Sequence, residues 1–286
     1  MSMDINREYI ESFARQYTKN AVFLKLTDKK AEPLQTKIGG KPDLPPDFEW
    51  SYYEGEDFNG VIENRPLSFI AQINCAEIKP YDKDDLLPNT GMLYFFYELG
   101  TMTWGYSPED KGSVRVFYYD GDLSLLKQTD FPETLNKDYI IPEKTPEFVS
   151  VFDVPDSGEV YEFYDADFQD DDYDIYQELR EREFSDDVRI KLLGYADMLQ
   201  DIMQYECEYV SRGYDYGNGI PDTSEEEKAD IKKKAEDWIL LFQLDTVETD
   251  DYELMFGDCG RIYFYIRKKD LAERNFDNVQ LILQCC

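Results

Sequence analysis

Trp238-Ile239-Leu240-Leu241-Phe242-Gln243-Leu244-Asp245, followed by Gly260-Arg261-Ile262-Tyr263-Phe264-Tyr265-Ile266, repeats a pattern met earlier in the chain. The earlier copy is Leu67-Ser68-Phe69-Ile70-Ala71-Gln72-Ile73-Asn74, followed by Gly91-Met92-Leu93-Tyr94-Phe95-Phe96-Tyr97. In each, an apolar run carries one Gln and ends two residues later in Asn or Asp. A Gly then opens an aromatic-rich run. Short apolar runs of this kind, bounded by turn residues, read as buried strands. Two strand pairs predict an α+β fold of two related halves, with antiparallel-rich sheets, peripheral helices and an internal duplication. The halves are expected at residues 1–160 and 161–286.

Outward from the strand pairs, Ile5, Tyr9, Phe13 and Tyr17 recur every four residues and predict an amphipathic helix over 4–19, with Asp4 as its cap. Ala21–Thr27 reads as a strand, as do 113–120, around Val114, Val116 and Tyr118, and 148–154. Gly39-Gly40, then Pro42, Pro45 and Pro46, mark a rigid turn segment. Residues 47–60 read as an acidic, aromatic loop. A helix is expected near 173–182, and 186–209 reads as mainly helical with a break at Gly194. Ser224 starts a Lys-rich helix running to about Glu236. A short helix over 270–275 and a strand over 279–284 complete the chain.

The 286 residues suffice for a sizeable core. With 62 acidic against 30 basic side chains the net charge is −32. Such a surface repels nucleic acid and anionic membranes and favours capture of a basic protein. The chain contains no histidine, which excludes Ser-His-Asp and Cys-His catalysis and every metal site that uses histidine. Its five cysteines form no C-x-x-C pair, so no zinc cluster or other metal centre is expected. Residues 165–174 resemble a calcium loop only superficially, because Asp172 stands where that loop needs glycine. No signal peptide and no membrane span are read, and a cytoplasmic protein without a cofactor is expected.

Candidate ligand-binding residues are Gln72, Gln243, Asp245, Asp258 and Trp104. A Gln inside an apolar run must have its amide hydrogen-bonded, either clamping loop backbone or facing a cleft shared by the halves. Asp245 corresponds to Asn74, and that exchange favours hydrogen bonding over acid–base work. Asp258, between Gly257 and Cys259-Gly260, suits a tight turn or a site carboxylate. Trp104 either caps the core or presents an aromatic anchor. No catalytic residue is assigned.

Taken in order, Ile38–Pro45, Phe69–Asn74, Leu87–Phe96, Leu193-Gly194-Tyr195, Leu241–Asp245, Gly257–Gly260 and Ile262–Ile266 carry a likeness over nearly the whole chain. On these motifs the chain resembles the YwqG-like family, a bacterial domain family of unknown function. That resemblance implies a cytoplasmic α+β protein, interaction or immunity-like roles, and no established enzyme activity. It also implies that Ile38-Gly39-Gly40 and Leu193-Gly194-Tyr195 are equivalent. The expected function is therefore a non-catalytic protein-binding module for a basic partner. The alternative is a small-molecule binder or enzyme using a cleft between the halves.

Overall fold

A computed structural model describes residues 2–57, 59–183, 189–249 and 252–286. In chain order the first half holds α1 (Ser2–Gln16), β1 (Lys19–Thr27), the short β2 (Lys37–Ile38) and β3 (Asp43–Leu44), and a hairpin of β4 (Tyr52–Glu56) and β5 (Ile62–Pro66). There follow β6 (Ser68–Asn74), α2 (Cys75–Ile78), β7 (Met92–Tyr97), β8 (Val114–Tyr119), β9 (Lys127–Gln128), β10 (Thr145–Asp153) and, across the 160/161 boundary, α3 (Ser157–Phe163). The second half holds α4 (Asp170–Glu183), β11 (Lys191–Leu193), α5 (Gln204–Ser211), α6 (Glu225–Ala235) and β12 (Trp238–Asp245). It ends with β13 (Val247–Thr249), β14 (Tyr252–Leu254), β15 (Arg261–Arg267), α7 (Lys268–Ala272) and β16 (Gln280–Gln284). The fold is α+β, and among the described residues every strand pairing is antiparallel.

Two sheets carry the architecture. One runs β2-β6-β7-β8; the other runs β10-β1-β11-β12-β15-β16. The order β2-β6-β7-β8 matches β11-β12-β15-β16 strand for strand. Both Gln strands carry a register shift at the same place, skipping Ile70 in β6 and Leu241 in β12. Each skipped residue stands two before its Gln. A bulge twists the strand locally and re-aims the side chains beyond it.

The sheets pack face to face. Phe95 of β7 meets Phe242 of β12 and Phe264 of β15, with ring centroids 4.7 and 5.1 Å apart. Ile70, Ile73, Leu93, Ile262 and Ile266 complete this shared core with Val22 and Leu24 of β1. The outer face of the first sheet buries Phe69, Tyr94 and Phe96 under Leu44 and Leu126. The outer face of the second buries Leu240, Tyr263 and Tyr265 under Met203 and Cys207. A separate cluster forms where Ile10 and Phe13 of α1 meet Val160 of α3 and Tyr176 and Leu179 of α4.

Several expectations need correction. Of the stretch 186–209, residues 186–188 lie outside the described residues, and 189–209 are not one helix: within them lie β11 and, after an irregular segment, α5. Lys191 and Leu192 pair with Gln243 and Phe242, and this non-local pairing decides the conformation. The loop expected over 47–60 contains β4. Helix α1 begins at Ser2, so Asp4 lies within it rather than ahead of it. The equivalence between the Gly turns shifts by one residue. Ile38 pairs with Ala71 and Leu192 with Phe242, each just before its Gln. Gly39 therefore matches Leu193 and Gly40 matches Gly194. All four have left-handed backbone, with φ of +62° and +67° in the first turn and +61° and +74° in the second. Leu193 holds this conformation against the steric penalty of its Cβ. The boundary at 160/161 runs through the larger sheet, placing β1 and β10 on one side and β11, β12, β15 and β16 on the other.

Candidate functional site

Two polar clusters sit under the outer faces of the sheets, one per half. Gln72 pairs across the ladder with Tyr94, next to the inward-facing Phe95, so both point away from the shared core. The Gln72 amide donates to the Gln35 carbonyl and to Asp43 Oδ2, both at 2.8 Å. Its Oε1 accepts the Asp43 N–H at 2.8 Å. Tyr94 Oη donates to the Asp43 carbonyl. Lys37, fully buried, reaches Asp43 at 3.3 Å and Glu143 at 3.7 Å.

The second half repeats these contacts. The Gln243 amide donates to the Arg189 carbonyl and to Asp197 Oδ2, both at 2.9 Å, and its Oε1 accepts the Asp197 N–H at 2.9 Å. Tyr263 Oη donates to the Asp197 carbonyl at 2.8 Å. Lys191, also fully buried, lies 3.0 Å from Asp197 and 2.9 Å from Asp153. Burial alone would lower the Lys191 ammonium, but Asp153 and Asp197 outweigh it and hold it above the ordinary lysine range. Burial likewise works to raise Asp197, yet Lys191, the Gln243 amide and Arg189 hold its carboxyl below the usual range. Both directions agree on an ionised pair.

The five candidates are not one site. Gln72 and Gln243 lie on opposite outer faces with the phenylalanine core between them, so they do not share a cleft. Gln243 and Asp245 are neighbours: Arg261 donates to Asp245 Oδ2 and to the Asp197 carbonyl, each at 2.9 Å. Asn74 accepts the Ala76 N–H and caps α2. Asp258 is exposed in the turn between β14 and β15, where its carbonyl accepts the Cys286 N–H. Trp104 is half-buried against the core; its carbonyl accepts the Leu283 N–H at 3.0 Å, and its ring stacks on Tyr106. Gly105 must be glycine at this crossing, since a Cβ there would stand 1.7 Å from the Leu281 carbonyl oxygen.

Sequence reasoning missed the residues that complete the clusters: Lys37, Asp43 and Tyr94, and Lys191, Asp197 and Tyr263. A signal existed. Each Asp follows its Lys by six residues, in Lys37…Asp43 and Lys191…Asp197. Each Tyr opposes its Gln in register.

Two further surfaces bear on function. A cavity of about 490 Å³ opens between the halves, lined by Gly105, Asp110 and Lys111 on one side and Val210, Trp238 and Arg267 on the other. Near it, burial pushes the Glu206 carboxyl up to about 8, with the Asp110 charge adding to the effect. Burial also raises Asp110 itself. The second surface is acidic and helical. Between 156 and 183 the chain carries twelve acidic side chains against two arginines. Asp165, Asp167, Asp170, Asp171, Asp174 and Glu178 are exposed there. Among them stands Tyr161, 71% exposed, with its ring against Tyr173. Tyr9 of α1 accepts the Asp167 N–H beside them.

Among the described residues, no group of carboxylates and thiols is placed to hold a metal ion, and no helix is long and apolar enough to cross a membrane. Residues 36–285 match the family model described as a domain of unknown function (DUF1963), and the chain belongs to that family. None of the curated proteins matches it.

Proposed function

We propose that this family member is a non-catalytic binding module that captures a basic protein on the acidic, tyrosine-bearing face of α3 and α4. One observation carries the reading: exposed Tyr161, in ring contact with Tyr173, stands in a segment whose Asp165, Asp167, Asp170, Asp171, Asp174 and Glu178 are exposed. Tyrosine contributes rigid contact area at low entropic cost, and the carboxylates steer a cationic partner and reject acidic ones. The polar residues inside the sheets support the same reading, because their hydrogen bonds are directed to loop backbone and to one another. Assignment to the YwqG-like group, a bacterial cytoplasmic setting, and descent of the two halves from one duplicated unit belong to this proposal. The matching strand order, bulges and Lys-Asp-Gln-Tyr contacts support the duplication.

The test is capture from native lysate at low and high salt, with wild type beside an Asp170→Asn, Asp171→Asn, Asp174→Asn, Tyr161→Ala variant. A basic protein held by wild type, released by salt and not held by the variant supports the reading. Equal capture by the two chains sinks it. A second reading, small-molecule binding between the halves, is favoured by the 490 Å³ cavity, whose lining includes neither Gln72 nor Gln243. Loss of ligand on changing Arg267, with the acidic face intact, is its signature.

A further inference from the structure

The turn Gly257-Asp258-Cys259-Gly260, between β14 and β15, belongs neither to the acidic face nor to the cavity between the halves. It carries one thiol, and the segment after β16 carries two, Cys285 and Cys286. The β15–β16 ladder brings these together. Its last pair is Arg261 with Gln284, so its continuation sets Gly260 opposite Cys285 and Cys259 opposite Cys286. The backbone follows that course: the Cys286 N–H donates to the Asp258 carbonyl at 3.0 Å. Cys259 is left-handed, with φ of +51°, and Asp258 and Cys259 together face Cys286, two residues against one as in a bulge.

Two glycines let the segments meet this closely. A Cβ on Gly260 would stand 2.8 Å from Cys285 Cβ, and one on Gly257 would stand 2.9 Å from Cys285 Sγ. Cys285 is therefore wedged against the turn and packs on the shared core. Gln284 bonds Leu199 and Asp201 on the outer face, so Cys285 turns inward and Cys286 outward. Cys259 belongs to that outer side too. Asp258 chiefly, with the Cys286 thiol and Asp245 adding to it, holds the Cys259 thiol above its ordinary range. Standard backbone lengths and the Cys286–Asp258 bond keep the Cα atoms of Cys259 and Cys286 within about 7 Å. A disulfide spans roughly 4.4–6.8 Å between Cα atoms. Both thiols are free and exposed, whereas Cys75 and Cys207 are buried.

We propose that Cys259 and Cys286 are a redox modification site, forming a reversible disulfide that staples the β14–β15 turn to the end of β16. The oxidant is a low-molecular-weight disulfide of the glutathione class. One cysteine gives its proton to solvent, and its sulfur attacks the external disulfide, forming a mixed disulfide and releasing one thiolate. The other cysteine, deprotonated in turn, attacks the protein sulfur of that mixed disulfide and releases the second thiolate. Two protein thiols lose two electrons, and one external disulfide is reduced to two thiols. An exposed disulfide of this kind is labile and exchanges back when the surrounding thiol pool is reducing. The site goes beyond the partner-binding reading and stands or falls separately from it.

The experiment incubates the full native chain, and the same chain unfolded in urea, with oxidised and reduced glutathione at fixed ratios. Free thiols are then alkylated and the peptides mapped without reduction. The Cys259–Cys286 link is expected in the native chain in excess of the unfolded chain by about tenfold or more. Dithiothreitol removes it, and Cys285→Ser retains it. Cys286→Ser is expected to carry only a mixed disulfide at Cys259, and Cys259→Ser only one at Cys286. The oxidised wild type should also unfold at a higher urea concentration than the reduced chain, a shift that both of these variants lack. A link made through Cys285, disulfide-joined dimers in place of the internal bond, or equal yields from the native and unfolded chains would overturn the proposal.

Discussion

At the scale of single residues, Gln72 and Gln243 show how one amide can organise a loop. Each has both amide hydrogens and its oxygen bonded, and each is fully buried. Truncation to alanine strands an Asp N–H and a loop carbonyl at once, while the Asp carboxylate keeps its lysine. An unmet buried polar group costs about 1–3 kcal/mol. Gln72→Ala and Gln243→Ala are therefore each expected to lose ~3 kcal/mol of stability in urea unfolding. Asp258→Ala, at an exposed turn, should stay within ~0.5 kcal/mol. Similar small losses for all three would show that the glutamines do not clamp the loops. The buried lysines follow related physics. Replacing an ion pair's partner leaves an uncompensated charge, which costs more than the intact pair contributes.

Among the elements, α5 carries the clearest pH dependence. Glu206 is half-buried on it, with a carboxyl pushed up to about 8 by burial and by Asp110. The unfolded chain releases this proton near 4.3. Between those values the folded state binds more protons than the unfolded state, so stability falls as pH rises and levels off above 8. Glu206→Gln should remove this component. Between pH 5 and pH 8.5 the variant is expected to lose less than wild type, by on the order of 2 kcal/mol after discounting for partial exposure. Parallel stability curves in urea titrations across that range would refute the assignment. The elements also show what could be read directly. The runs giving β6, β7, β12 and β15 were legible because they are long, apolar and closed by turn residues. β11 was not: three residues cannot reveal a period. Its extended form is imposed by Ala21, Val22 and Phe23 on one side and by Gln243 and Phe242 on the other. The glutamines were visible as polar residues in apolar runs. Lys191 and Asp197 stood in a stretch that suggested a helix, and Arg180 is brought to them only by the tertiary fold.

For the whole molecule, the question is whether two similar halves make two folding units. Charge does not divide them, since the buried Lys191–Asp153 pair crosses the 160/161 boundary. Strand pairing does bind them together. β1 enters the larger sheet between β10 and β11, so a chain ending at 160 keeps two strands of that sheet and loses the other four. The same cut exposes one side of the core where Phe95 meets Phe242 and Phe264. Apolar burial contributes about 25 cal/mol per Å², and each fragment would forfeit it over a whole sheet face. Fragments 1–160 and 161–286 are therefore expected to show no cooperative melting and no near-ultraviolet circular dichroism when purified separately. Mixed, they should recover both, and the intact chain should unfold in one transition by fluorescence and circular dichroism alike. A separate cooperative transition in fragment 161–286, which keeps β11, β12, β15 and β16 together, would mean that its Lys-Asp-Gln-Tyr cluster and outer helices suffice without the facing sheet. The shared phenylalanine core would then be an interface between two domains rather than the core of one.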